Sequence, residues 1–327
     1  METAALQVRS RRNESRFLER AFFWSLALAT GIPLIWFGFG VELLHENKRE
    51  LMTALMPVIA VTGVGHVAAT AFFYVDHDFF EIIRQNRRRF FVLPILAAGG
   101  CLALYSTSAA AWTFLMAAFL AWRLYHYQRQ NYGLIAFAAQ SAGLHPLPSE
   151  LNRMLNLGVG VAVCNMIRRI DLANGFTAVA LYDFSVLLFV ASTIMLVRVL
   201  RAAPRLRTNP FVLAFTLLGW AFFVPTLVST EELVGFWSYA IAHGAQYLIF
   251  MAVVSGNRKR GAFGLAVLVL ISAAMYVGFG YLNGSARGPA VYTGLVMSHF
   301  LIDAKVWRVR EPLQRALIRD RFSFVFG

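Results

Sequence analysis

Seven histidines occur in this chain, and four of them, His66, His126, His243 and His299, stand within or at the ends of strongly apolar runs. An ionisable group in such a setting is costly and marks a functional site by default. Each of the four has a polar companion one helical turn onward, where side chains share a face. Thr70 follows His66, Gln130 follows His126, Gln246 and Tyr247 follow His243, and Asp303 follows His299. A metal-bound imidazole is oriented through its second nitrogen by a group of this kind. The pattern therefore predicts a metal or redox centre with His66, His126, His243 and His299 as ligands. For any one histidine the plain alternative is an interhelical hydrogen bond, worth ~0.6 kcal/mol.

Neutral imidazoles suit iron, copper or zinc. Non-haem iron fits a lipid-buried oxidation best, because four nitrogens leave two octahedral positions open, whereas a closed tetrahedral zinc site does no redox chemistry. Gln130, Gln246 and Asp303 are expected as outer partners or proton carriers. Asp183 joins them, since a carboxylate inside an apolar run costs about 3 kcal/mol unless it is paired or protonated. An acid that pairs with a basic residue on another helix is the competing reading for Asp183. His77 sits in Asp76-His77-Asp78, which reads as a solvated cluster at a membrane surface, and His45 and His145 read as loop residues.

The elements that must position these side chains follow from composition. Of 327 residues, 58% are hydrophobic and 14% charged, against roughly 25% charged in a soluble domain. The chain reads as an all-α, polytopic integral membrane helical bundle with about ten transmembrane helices. Spans are expected at about 20–44, 51–75, 90–106, 109–128, 151–167, 175–198, 210–228, 234–255, 262–282 and 289–306. A basic tail, 1–19, precedes this transmembrane domain, 20–306, and a second basic tail, 307–327, follows it. The net charge of +13 is explained by the excess of Lys and Arg in cytoplasmic loops, with no nucleic acid required. With both termini cytoplasmic, only Lys48, Arg49, Arg168, Arg169 and Arg287 fall on the opposite side. The basic tails are expected to meet anionic lipid headgroups, at about 1 kcal/mol per residue.

On this threading all four histidines lie on spans that run in the same direction. Counted at ~1.5 Å per residue from the inner end, His66 is ~14 Å deep, His243 ~18 Å and His299 ~9 Å, with His126 nearer the surface. One shared site is within that spread. Residues 133–143 are too short a run to cross before the polar stretch His145 to Arg153 and read as an interfacial or re-entrant helix. The segment Tyr125 to Gly133 is too polar for lipid and reads as a cavity wall or an inner rim. Cys101 and Cys164 lie in apolar runs and offer no disulfide framework or zinc ribbon. The chain has no H-E-x-x-H, no G-x-S-x-G elbow and no glycine-rich nucleotide loop.

His243-Gly244-Ala245 is similar to a His-Gly-Ala element of the bacteriorhodopsin-related beta-carotene 15,15'-dioxygenases, which share a polytopic architecture and histidine-only ligand candidates. The acid and the second His of that element are replaced here by Gln246 and Tyr247. The resemblance implies oxidative cleavage of a polyene by dioxygen at non-haem iron, and thus a lipophilic small-molecule substrate that enters from the lipid bilayer. Two other classes remain open from the residues alone. One is a haem-binding electron carrier with axial His pairs, copper being a further option for the metal. The other is a proton-coupled transporter that uses the buried His and Asp183.

Overall fold

Long runs of Leu, Ala, Phe and Val leave a backbone in lipid one open-ended way to satisfy its polar groups, the helix. A computed structural model of the chain describes residues 2–40, 48–169, 175–229, 232–256, 261–283 and 285–326. It is 90% helical, and no strand occurs among the described residues. Helix α1 is Glu2–Ile35, which continues as a π turn, Trp36–Gly40. Helix α2, Lys48–Ala60, is prolonged by a π turn, Val61–Gly65, and by two short helical pieces, His66–Ala69 and Phe72–Val75. Then come α3 (Phe80–Gln85), α4 (Leu93–Thr107), α5 (Ala109–Ser141), α6 (Ser149–Arg169) and α7 (Gly175–Ala202). The chain ends with α8 (Pro210–Ala221), α9 (Glu232–Ser255), α10 (Gly261–Asn283), α11 (Gly288–Val306) and α12 (Pro312–Arg321).

Among the described residues, seven helical stretches are long and apolar enough to cross a membrane: Asn13–Gly40, Leu55–Val75, Arg88–Thr107, Gly175–Ala202, Pro210–Val228, Gly235–Ser255 and Gly261–Gly278. The other three expected spans fall on α5, α6 and α11, which are helical over the expected range but less apolar. Several of their polar residues face protein: Gln128, Asn131, Asn165 and Asp303 are all buried.

Residues 133–143 do not form a separate re-entrant helix. Residues 133–141 are the last turns of α5, one continuous helix of 33 residues and hence about 50 Å long, and Ala142 and Gly143 close its end. The polar run that precedes them does not break the helix because its side chains find partners: Gln128 Nε2 donates to the Gly219 carbonyl at 2.9 Å, and Asn131 Nδ2 donates to Gln128 Oε1 at 2.9 Å. On the helix's other face Tyr125 and Arg129 are exposed, and Arg129 lies over the Tyr132 ring at 4.7 Å.

The basic tail packs onto the bundle over residues 307–326. Arg321, on α12, is buried and donates to the Val254 carbonyl at 2.6 Å and to Asp76 Oδ2 at 3.1 Å, and it also pairs with Asp78. In Asp76-His77-Asp78 the second and third residues are exposed as expected, but Asp76 is fully buried, and the two acids fasten α12 to the ends of α2 and α9. Phe322 follows into an aromatic cluster with Phe22, Phe137 and Phe250, at centroid distances of 5.6, 5.1 and 5.3 Å. Glu311, just before α12, accepts from Lys305 Nζ at 2.5 Å, and this contact holds its carboxyl below the ordinary 4.5. Arg315 and Arg319 remain exposed. The side on which this cluster lies is called the termini side below. His45 and the Arg258-Lys259-Arg260 cluster fall outside the described residues.

Candidate metal centre

The site begins with a defect in a helix. Pro57 lies inside α2 and cannot donate to a preceding carbonyl, and the π turn Val61–Gly65 follows it. At that turn the backbone of α9 comes against α2 so closely that a Cβ on Gly244 would lie 1.9 Å from the Thr62 carbonyl oxygen. Only glycine fits there. The contact sets His243 beside His66, and the small pair Gly244-Ala245 thus serves close helix packing.

The structure brings together the four histidines that the sequence singles out. The ring centroids of His66 and His243 are 5.0 Å apart, His66 and His299 5.0 Å, His126 and His243 5.1 Å, and His126 and His299 5.3 Å. They form a quadrilateral with His243 and His299 at 6.5 Å across it. One ligand atom from each of His66, His243 and His299 lies within 4.8 Å of the others, as does one from each of His126, His299 and Asp303. That is close to the ~4 Å spanned by two ~2.1 Å metal–nitrogen bonds. The walls are aromatic: Phe300 stacks on His126 at 4.1 Å and Tyr127 lies against His243 at 4.2 Å.

Hydrogen bonds assign the tautomers of two rings. His66 Nδ1 meets the Thr62 carbonyl oxygen, which only accepts, so Nδ1 carries the proton and Nε2 keeps its lone pair. Around His299 a chain of hydroxyls gives the same result. Tyr247 Oη donates to Asp303 Oδ1 at 2.9 Å. Thr70 Oγ1, 3.1 Å from Tyr247 Oη, must then donate to it, and so accepts from His299 Nδ1 at 2.6 Å. His299 Nε2 is left without a hydrogen bond; Asp303 Oδ2 is 3.6 Å away, too far for one. The Nε2 atoms of His66, His126, His243 and His299, with Nδ1 of His243, are buried and without a hydrogen-bond partner. Buried polar atoms are nearly always bonded, so five unpartnered nitrogens on four neighbouring rings offer lone pairs to a metal ion.

The i+4 companions act across helices more than along them. Thr70 serves His299 instead of His66. Gln130 donates to the backbone carbonyl of His243 at 3.0 Å and to Gln246 Oε1 at 2.7 Å, not to the His126 ring. Gln246 donates to Thr30 Oγ1 at 2.7 Å and Asn131 Oδ1 at 3.2 Å. These amides tie α1, α5 and α9 together and leave the imidazoles untouched. Asp303 alone stands beside the His that precedes it by one turn. Asp183 is not brought to the centre: it is exposed on α7, and the neighbouring Tyr182 lies under Arg168 at 4.8 Å.

Sequence reading missed Thr62 as the acceptor for His66, although Pro57 and the Gly63/Gly65 pair mark the irregular turn. It also missed Arg123, buried one turn from His126, which bonds to Tyr127 and stacks on Phe236 at 4.7 Å. Comparisons with protein-family models, with curated proteins and with solved structures found no match for this chain. Fold and site together define a helical protein with segments long and apolar enough to span a membrane and with His/Asp groups that could hold a metal.

Proposed function

We propose that this protein is a membrane-embedded, metal-dependent oxidoreductase that acts on a lipophilic substrate at a non-haem iron centre held by His66, His126, His243 and His299. The observation that carries this reading is that the four neighbouring imidazoles each have a buried Nε2 without a hydrogen-bond partner, in two overlapping ligand groups that share His299. A structural imidazole cluster would satisfy those atoms with hydroxyls or carbonyls; here partners are supplied to Nδ1 of His66 and His299, and Nε2 is left free. Iron bound there would supply one-electron redox chemistry and open positions for dioxygen. The chain's own part is to fix the tautomers through Thr62 and Thr70, to hold the Tyr247–Asp303 hydrogen bond against His299, and to exclude water with Phe300, Tyr127 and Trp307.

Haem is disfavoured by the geometry, because the rings pack edge against edge at 5.0–5.3 Å and leave no slot for a macrocycle between opposing imidazoles. In this reading α5, α6 and α11 cross the bilayer as well, giving ten spans with both termini cytoplasmic, because His126 and His299 reach the same point as His66 and His243. Elemental analysis with an optical spectrum of the purified protein is the test. Stoichiometric iron without a Soret band is expected, and its loss in His66→Leu, His126→Leu, His243→Leu and His299→Leu. Metal retained at full stoichiometry in all four variants would remove the centre.

A further inference from the structure

Beside the centre, the bundle wall is open. Helices α4 and α10 stand apart, and between them a cavity of about 300 Å³ is floored by α2 and α11. Ile95 on α4 and Met275 on α10 flank its mouth, and Ile95 is 70% exposed on the outer face. Its floor includes Thr70, Ala71 and His299. A second cavity of about 100 Å³ adjoins it and shares Val67, Met275 and Leu295, ending at Gly278 and Tyr292. Together they make one groove parallel to the helices, from Tyr292 to Ile302 along α11. At 1.5 Å per residue it runs roughly 10 Å from His299 toward the far side and roughly 5 Å toward the termini side.

The chemistry of the lining names the occupant. No Lys, Arg, Asp or Glu lines either cavity, and apart from His299 the polar groups are the hydroxyls of Thr70, Tyr74, Ser298 and Tyr292. The outer faces of the flanking helices are apolar and mostly exposed: 11% of the most apolar stretch is buried in each of Arg88–Thr107 and Gly261–Gly278. Molecules dissolved in the bilayer core therefore reach the mouth without crossing water. The long axis of the groove lies along the acyl-chain direction, so an extended chain enters sideways without turning. Of the four imidazoles, His299 alone lines the groove.

We infer that this groove binds one uncharged, extended hydrocarbon chain from the bilayer, and that it presents an interior segment of the chain, not its end, to the edge of His299. The binding step stands on the groove; that the chain is the substrate rests on the metal-centre reading above. The test uses the full chain in lipid nanodiscs with a diazirine-bearing long-chain alkene as photoprobe and peptide mapping of the adducts. Adducts are expected to concentrate on 67–74 and 295–302. The double variant Ile95→Trp/Met275→Trp, which plugs the mouth from partly exposed positions, should lower them about tenfold, the effect of excluding roughly two buried methylenes. Leu187→Trp, at an exposed position on α7, should leave them unchanged. His243→Leu, which does not line the groove, should lose metal and keep the adducts, so failure of the centre and failure of the groove are read separately. Three results would each overturn the inference: adducts spread evenly over exposed faces such as 176–190, adducts undiminished in the plugged variant, or equal labelling of the groove by a charged phospholipid diazirine.

Discussion

Two buried polar layers share helices α5 and α9 about one turn apart, and they are built in opposite ways. In the amide layer, Gln128, Gln130, Asn131 and Gln246 bond to one another, to Thr30 and to the carbonyls of Gly219 and His243. In the imidazole layer, five ring nitrogens have no partner. A satisfied network fixes helix positions, whereas an unsatisfied one is a standing cost that folding alone does not justify. The difference separates glue from a candidate binding centre on the same two helices, and it can be attacked residue by residue.

The largest effect is expected from Gly244→Ala, which should disable both layers. Its methyl would meet the Thr62 carbonyl at 1.9 Å, and backbone cannot yield as a side chain does, so a loss of about 3 kcal/mol or more is expected; thermal unfolding in detergent and metal content should fall together. His243→Leu should separate the layers. Bound metal should drop from stoichiometric to near zero, while the metal-free protein unfolds at the same temperature or higher, because two orphan nitrogens are replaced by carbon. Gln246→Leu should show the reverse: metal retained, but stability lowered by about 2 kcal/mol as Gln130, Asn131 and Thr30 lose a partner. Asp303→Asn should weaken metal binding about tenfold without unfolding, since an amide that donates to Tyr247 reverses the hydroxyl chain and places the proton on His299 Nε2; equilibrium metal titration reads it.

The smallest effect lies outside both layers. Because Lys305 depresses the Glu311 carboxyl, that contact contributes fully above pH 4.5 and is lost as pH falls through the lowered value. Proteolysis of the α11–α12 junction should therefore quicken only in acid, and Glu311→Gln should remove the pH dependence.

Much of this architecture is legible in the sequence because lipid imposes a simple rule, about 20 apolar residues per crossing. The rule weakens for α5 and α11, whose polar residues face other helices, and there the histidines themselves gave the better clue. It misled at 133–143, where polar side chains that pair across the bundle look from the sequence alone like a break. The histidines converge because they share a depth, which residue counting reveals. Their partners do not follow from counting: a spacing of four residues puts Thr70 and Gln130 on the same face as a histidine, yet which helix lies opposite decides whom they serve. Asp183 shows the limit of reasoning from cost, since a carboxylate on an apolar helix need not face inward. Asp76 shows the converse: its partner Arg321 is 245 residues away, and no local pattern announces it.

Both groups of candidate ligand atoms include His299, and His299 is carried by the last of the four histidine helices to be synthesised. During biogenesis neither candidate group is complete until α11 is made. If the proposed centre takes a metal, chain order places its loading after the synthesis of α11.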